Sequence, residues 1–310
     1  MRIVISEFMD EAAVATLAAR HATEYDRNLV DRREELVARL VDADALIVRN
    51  RTQVDVELLA AAPRLTVVGR LGVGLDNIDV AACAKRNVAV IPATGANALA
   101  VAEYVIGVAM VLLRGTYFAT ADVAAGKWPR GALSSGREIA GKTLGVVGFG
   151  GIGRLTARLG RALGMRVIGC DAELAPVDAV WRDEGVEPRT LDALLAQADV
   201  VTLHVPLLPA TRNLIDAKRI AAMKPGAILV NTARGGVVDE AAVAAALASG
   251  RLGGAALDVF EKEPLPAGSP LAGCRNLILT PHIAGVTAES NERVSSMIAA
   301  RVLDALAARA

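Results

Sequence analysis

Short apolar runs separated by stretches with helical spacing make up most of this chain. Near the N-terminus the runs Ile3-Val4-Ile5, Ala45–Val48, Thr66–Gly69 and Val88–Ile91 read as strands. Between them Glu11–Ala19, Arg33–Val41, Val56–Ala62 and Val80–Lys85 carry apolar positions at helical spacing. A short run that is apolar at every position suits a strand buried on both faces. Strand and helix in alternation therefore predict a parallel sheet covered on both sides. From Asn97 to about Ala125 the pattern predicts one long helix, apolar nearly all round, which points to burial between domains or between subunits. A loop with Gly, Ser and Pro follows over residues 126–141 and includes Trp128.

The alternation then restarts. Thr143–Val147, Arg166–Cys170, Val200–Leu203, Ala227–Asn231, Gly254–Asp258 and Leu277–Leu279 read as strands, and Arg154–Leu163 and Thr287–Ala308 as helices. The difference between the two alternations lies in the turn after the first strand. In the second unit that turn is Gly148-x-Gly150-x-x-Gly153. Gly148 permits a tight turn, Gly150 removes a side chain that would block a pyrophosphate, and Gly153 lets helix and strand pack closely. Phosphates would sit at the helix N-terminus, where unpaired amides and the helix dipole favour anions. Asp171 follows the next strand, 18 residues after Gly153. An acid there accepts hydrogen bonds from ribose hydroxyls and repels a 2′-phosphate, so NAD is expected over NADP. The first unit has no such turn after its first strand.

The fingerprint opens near residue 143 and not at the N-terminus, and the final helix is long enough to cross back to the first unit. The expected architecture is α/β, with two doubly wound parallel-sheet domains. A Rossmann cofactor domain, residues 98–284, is inserted into a flavodoxin-like substrate domain, residues 1–97 with 285–310.

Composition narrows the function classes. Lys plus Arg and Asp plus Glu are 34 each in 310 residues, so no global field recruits nucleic acid or a membrane surface. Aromatics are 3% against 53% hydrophobic residues, which implies an aliphatic core and no surface for stacking bases. Cys83, Cys170 and Cys274 lack C-x-x-C spacing and are odd in number, against a disulfide framework or a zinc site; no metal is expected. The chain starts directly in a strand pattern without a signal-peptide layout, and the longest apolar stretch, Tyr104–Leu113, is too short to span a bilayer. A cytoplasmic protein is expected.

Ligands gather at the carboxyl ends of strands in open α/β sheets. Three such ends carry polar residues that strand packing does not need: Arg234 after Val230-Asn231, Glu263 after Asp258, and His282 after Leu277–Leu279. Singly, each has an ordinary structural explanation. Together they supply what oxidation of an alcohol requires. Arg binds a carboxylate and polarises a carbonyl, His takes the hydroxyl proton as hydride leaves, and Glu orients the imidazole and favours its charged form.

These residues resemble the D-isomer-specific 2-hydroxyacid dehydrogenases of the phosphoglycerate dehydrogenase type. The resemblance runs through Gly148–Gly153 with Asp171, His204-Val205-Pro206 with Thr211, Met223–Gly226, Asn231–Gly235, Leu257–Phe260, Glu263–Pro266 and Pro281–Gly285. It implies Arg234, Glu263 and His282 as the catalytic set. Around the NAD it implies Gly148, Gly150, Gly151, Ile152, Gly153, Asp171, His204, Pro206, Thr211, Thr232, Ala233, Arg234, Asp258, His282 and Gly285. Gly69–Asp79 looks like the family's substrate loop, whose main-chain amides at Val73 and Gly74 hold the carboxylate. Arg49 matches a substrate-side arginine, so Arg49, Val73, Gly74, Arg234 and His282 are the implied substrate contacts, with the substrate held between the domains. The resemblance also implies a homodimer through the cofactor domains.

The reaction expected is hydride transfer between nicotinamide and C2 of a D-configured 2-hydroxy or 2-keto acid. The stretches Ile5–Asp10 and Val48–Thr52 resemble the (S)-sulfolactate dehydrogenase branch, with Arg49 and Arg51 facing a sulfonate. (S)-sulfolactate has the spatial arrangement of a D-hydroxy acid, because the methylsulfonate group outranks the carboxyl. The alternatives are 3-phosphoglycerate, and glycerate or glycolate through hydroxypyruvate or glyoxylate reduction. An alternative of another class is a non-catalytic, NADH-sensing protein like the corepressors that share this fold.

Overall fold

The structure is a computed structural model that describes residues 1–309. The chain divides into two compact units, Met1–Asn97 with Val286–Ala310, and Ala98–Gly285.

The first unit holds β1 (Arg2–Ile5), β2 (Ala22–Tyr25), β3 (Ala45–Val48), β4 (Val67–Arg70) and β5 (Ala89–Pro92) in one parallel sheet of order β2-β1-β3-β4-β5. That is the flavodoxin-like order, with its switch point between β1 and β3. Alternate strand residues feed opposite faces. Ile3, Ile5, Ala45, Ile47 and Val67 pack with Leu17 and with Ile298, Val302 and Leu306 of the Ala288–Ala307 helix. On the other face Val4, Leu46, Val48 and Val68 pack with Leu36, Leu40, Leu58 and Cys83 from three shorter helices. β2 was not expected: Ala-Thr-Glu-Tyr has no apolar run, because an edge strand pairs only with β1 and stays partly exposed.

The second unit holds β6 (Thr143–Val147), β7 (Arg166–Cys170), β8 (Glu187–Pro188), β9 (Val200–Leu203), β10 (Ala227–Asn231), β11 (Leu252–Leu257) and β12 (Leu277–Leu279). They form a parallel sheet of order β12-β11-β10-β9-β6-β7-β8. The order reverses between β6 and β9, which is the Rossmann arrangement and marks the ligand crevice. One face packs against the Ala98–Arg114 and Gly151–Ala162 helices and includes Phe149 stacked on Trp181 with ring centres 4.4 Å apart. The other is covered by the Leu191–Gln197, Ala217–Ala222 and Glu240–Ala248 helices, each opened by a capping side chain, from Thr190, Asp216 and Asp239 respectively.

The helix expected over 97–125 is not continuous. It ends at Arg114, where Gly115 takes φ +66° and returns its N–H to the Val111 carbonyl at 2.8 Å. A glycine in the left-handed region is an efficient helix terminator, and the apolar pattern continues past it only because the next segment also has an apolar side. A short turn, Tyr117–Ala119, and a helix, Thr120–Ala124, then leave at 69°. Among the described residues no single helix is long and apolar enough to cross a membrane.

Candidate active site

The second unit presents Arg234, Glu263 and His282 beyond the carboxyl ends of three adjacent strands, β10, β11 and β12. The turn bearing Arg234 is shaped by Asn231, which is buried. Its side chain accepts from the Ala233 amide at 3.0 Å and donates to the Arg234 carbonyl at 3.0 Å. Gly235 lies against the Phe260 carbonyl, where a side chain would collide, so this turn sits on the segment that leads to Glu263. One Glu263 oxygen takes the Phe260 N–H at 3.1 Å; the other lies 2.8 Å from His282 Nδ1. A carboxylate only accepts, so Nδ1 carries the proton of this bond and Nε2 is the ring nitrogen not committed to Glu263. Both side chains remain partly exposed.

His282 has φ +55°, an uncommon conformation for a residue other than glycine. It is held there by its N–H to the Asp258 carbonyl, 2.8 Å, while the Asp258 carboxylate takes the amides of Ile283 and Ala284, each at 2.8 Å. Asp258 is almost fully buried. Its carboxylate is therefore an anchor of the His282 loop, a role that spacing along the chain did not reveal.

The glycine turn lies at the switch point. Gly148 has φ +91° and runs beside the His204 carbonyl at the end of β9; a Cβ on Gly153 would collide with the Gly148 carbonyl oxygen. Around Gly150 and Gly151 the space a Cβ would take is open. Gly150 caps the Gly151–Ala162 helix without a side-chain bond, so the helix's first amides face that space. Asp171 ends β7 with its carboxylate accepting from Phe149 N–H at 2.6 Å and Glu173 N–H at 2.8 Å. Thr232 Oγ1 is buried without a hydrogen-bond partner among the described residues. An open cradle at a helix N-terminus, an acid at the next strand end and an orphaned hydroxyl fit a bound dinucleotide. Burial pushes the His204 imidazole down to about 4, so the ring is neutral, with Nε2 3.1 Å from Thr202 Oγ1. The Thr211 hydroxyl closes its own loop, donating to the Pro206 carbonyl at 2.6 Å and accepting from Leu208 N–H at 2.7 Å. Ile152 and Gly285 are half-buried, Ala233 is buried and Pro206 is exposed.

In the first unit, Arg49 follows β3 at the β1/β3 switch point. Glu7, after β1 and 4% exposed, accepts from the amides of Arg49 at 2.8 Å, Arg51 at 3.2 Å and Thr52 at 2.9 Å, and so fixes the loop. Asn77 donates from below to the Arg49 and Thr52 carbonyls. The Arg49 guanidinium lies 5.7 Å from the centre of the Phe8 ring and donates to Asn291 Oδ1 at 3.0 Å. Among the described residues no carboxylate forms an ion pair with it, and burial lowers its pKa against the raising influence of Glu7. Arg51, expected beside it, instead pairs with Asp31 at the surface. The amides of Val73 and Gly74 donate to no acceptor among the described residues, and Val73 is exposed.

Residues 106–284 match the NAD-binding domain of the D-isomer specific 2-hydroxyacid dehydrogenases. An (S)-sulfolactate dehydrogenase of Chromohalobacter salexigens is 55% identical over 308 residues, which are 99% of this chain and 99% of that protein. A D-3-phosphoglycerate dehydrogenase of Mycobacterium bovis is 44% identical over 275 residues, 89% of this chain but 51% of that protein, so the chain spans about half the length of that relative. Among solved structures, a glyoxylate reductase from Paecilomyes thermophila superposes with a TM-score of 0.85 at 30% identity, covering 99% of this chain and 95% of that one. The chain belongs to the D-isomer-specific 2-hydroxyacid dehydrogenases. It is an NAD-dependent dehydrogenase that acts on a small 2-hydroxy or 2-keto acid.

Proposed function

We propose that this dehydrogenase interconverts (S)-sulfolactate and sulfopyruvate. The observation that carries the reading is the relative named for that reaction, 55% identical along nearly the whole of both chains. The structural counterpart is Arg49, a half-buried guanidinium without a carboxylate partner among the described residues, at a strand end. Such a cation is stabilised by a strong anion brought in by a ligand. A sulfonate keeps its charge at any physiological pH.

A bound nicotinamide supplies the hydride acceptor for oxidation and the donor for reduction. His282 is the acid–base group: with Nδ1–H directed to Glu263, Nε2 takes the C2 hydroxyl proton on oxidation and returns it on reduction. Glu263 holds the ring in that tautomer and supplies the negative charge that the imidazolium needs. Arg234 binds the carboxylate and polarises the C2 oxygen, and the Val73 and Gly74 amides hold the carboxylate as a small anion nest. Asp171 selects NAD over NADP through the ribose hydroxyls. The enzyme works as a homodimer that covers the apolar residues exposed after the Ala98–Arg114 helix, Tyr117, Phe118, Val123 and Trp128.

Steady-state oxidation of NADH with sulfopyruvate, phosphohydroxypyruvate, hydroxypyruvate, glyoxylate and pyruvate tests the assignment. The highest kcat/KM is expected with sulfopyruvate. A clear preference for phosphohydroxypyruvate or glyoxylate would replace it, and absence of turnover on every keto acid with NADH bound would favour a sensing protein.

A further inference from the structure

The loop carrying His282 is tied to the Ala98–Arg114 helix by a hydrogen-bond chain whose direction the chemistry settles. Tyr104, on that helix, places its hydroxyl 2.6 Å from Thr280 Oγ1, and Thr280 Oγ1 lies 2.6 Å from Asp258 Oδ1. The Asp258 carboxylate can only accept, so Thr280 donates to it, and the Thr280 oxygen is left to accept the Tyr104 proton. The order is Tyr104 to Thr280 to Asp258. Burial raises the Tyr104 pKa, the bond to Thr280 opposes this, and the Asp258 charge raises it further. The phenol therefore keeps the proton it donates.

At the far end of the chain, Asp258 holds the loop on both sides of the imidazole. Its carboxylate takes Thr280 before His282, and Ile283 and Ala284 after it, while its carbonyl takes the His282 N–H. The positive φ of His282 costs of order 1 kcal/mol or more, and it persists only where surrounding bonds hold it. The Tyr104 ring packs against the core of the second unit, where Phe would fill the same space. A hydroxyl there would be a desolvation cost without a partner, and its partner is the residue bonded to the anchor of the His282 loop.

We propose that Tyr104 is a positioning residue for His282, acting through Thr280 and Asp258. The proposal rests on His282 being the acid–base group.

Tyr104→Phe, Thr280→Val, Thr280→Ser, their Tyr104→Phe/Thr280→Val combination and His282→Ala test it, with kcat, keto-acid KM, NADH affinity and Tm measured for each. In Tyr104→Phe, kcat is expected to fall about fivefold, the worth of one neutral hydrogen bond, with NADH affinity within about twofold of the parent. Thr280→Ser should keep the parental kcat. The double variant should be no slower than Thr280→Val alone, because both changes break one chain. Unchanged kcat in Tyr104→Phe alongside a large loss in His282→Ala would overturn the Tyr104 role and leave the His282 assignment standing. Parental kcat in His282→Ala would overturn that assignment and this proposal with it. Losses that multiply in the double variant, or a Tyr104→Phe loss matched by equal losses of NADH affinity and Tm, would reduce Tyr104 to a packing residue.

Discussion

The Glu263 carboxylate stands 2.8 Å from His282 Nδ1, and its second oxygen is held by the Phe260 amide, so the acid is anchored before it orients the ring. His282→Ala should lower kcat by about 10²–10⁴-fold, the usual worth of general acid–base catalysis, with NADH binding retained. Glu263→Gln keeps a hydrogen-bond acceptor for Nδ1 but removes the charge that balances the imidazolium. Its kcat should fall by a smaller factor, with KM little changed. Near-parental turnover in either variant, read by NADH absorbance under saturating substrates, would remove that residue from the mechanism.

The glycine turn gives a paired prediction. A Cβ at Gly153 collides with the Gly148 carbonyl, whereas a Cβ at Gly151 enters open space. Gly153→Ala should abolish NADH binding or folding, because neither backbone segment can move without unpacking the helix from β6. Gly151→Ala should fold with a Tm near the parent and lose only cofactor affinity. Fluorescence titration with NADH and thermal melts separate the two; equal behaviour of the variants would contradict the steric reading.

Asp171 bears on cofactor choice. Its carboxylate is set by the Phe149 and Glu173 amides at the end of β7, so its charge is fixed where the adenosine ribose is expected. Asp171→Ala removes both the acceptor for the hydroxyls and the repulsion of a 2′-phosphate. The kcat/KM ratio of NADH to NADPH should fall by at least about tenfold. An unaltered ratio would take Asp171 out of cofactor discrimination.

Most of the fold was legible because buried parallel strands are continuous apolar runs and glycine turns have fixed spacing. β2 and β8 were not, since edge strands need few apolar residues. The break at Gly115 was hidden by an apolar pattern that continues through Tyr117 and Phe118. In the site, Arg234, Glu263 and His282 stood out as polar residues just past strand ends. The Tyr104–Thr280 bond joins residues 176 positions apart, and no local pattern reports such a partner. Arg51 looked equivalent to Arg49 by position, but Asp31 claims it, and the pairing of surface charges is not visible in spacing.

His204 predicts a pH dependence of stability. Burial lowers its folded pKa to about 4, below the ordinary imidazole value of 6.5. Between those two values the unfolded chain holds a proton that the folded one does not. The contribution is therefore complete above pH 6.5 and is lost as pH falls toward 4, by about 3 kcal/mol at most. Unfolding in urea at pH 4.5 and 7.5 should show a smaller drop in His204→Gln than in the parent. Equal drops would mean that the imidazole is solvated.

Arg49 carries the substrate assignment. Glu7 and Asn77 hold its backbone, Phe8 and Asn291 hold its guanidinium, and no carboxylate among the described residues neutralises it. If it meets the sulfonate, Arg49→Met should raise KM for sulfopyruvate by about 10²-fold, as loss of a charged hydrogen-bonded contact implies, with a modest change in kcat. Turnover of pyruvate, which lacks the second anion, should barely change, because its carboxylate is held elsewhere. Arg49→Lys should recover only part of the loss, since an ammonium cannot reproduce a planar two-nitrogen contact with a sulfonate. Equal losses with sulfopyruvate and pyruvate would mean that Arg49 supports the loop, or binds the carboxylate common to both, and does not read the sulfonate.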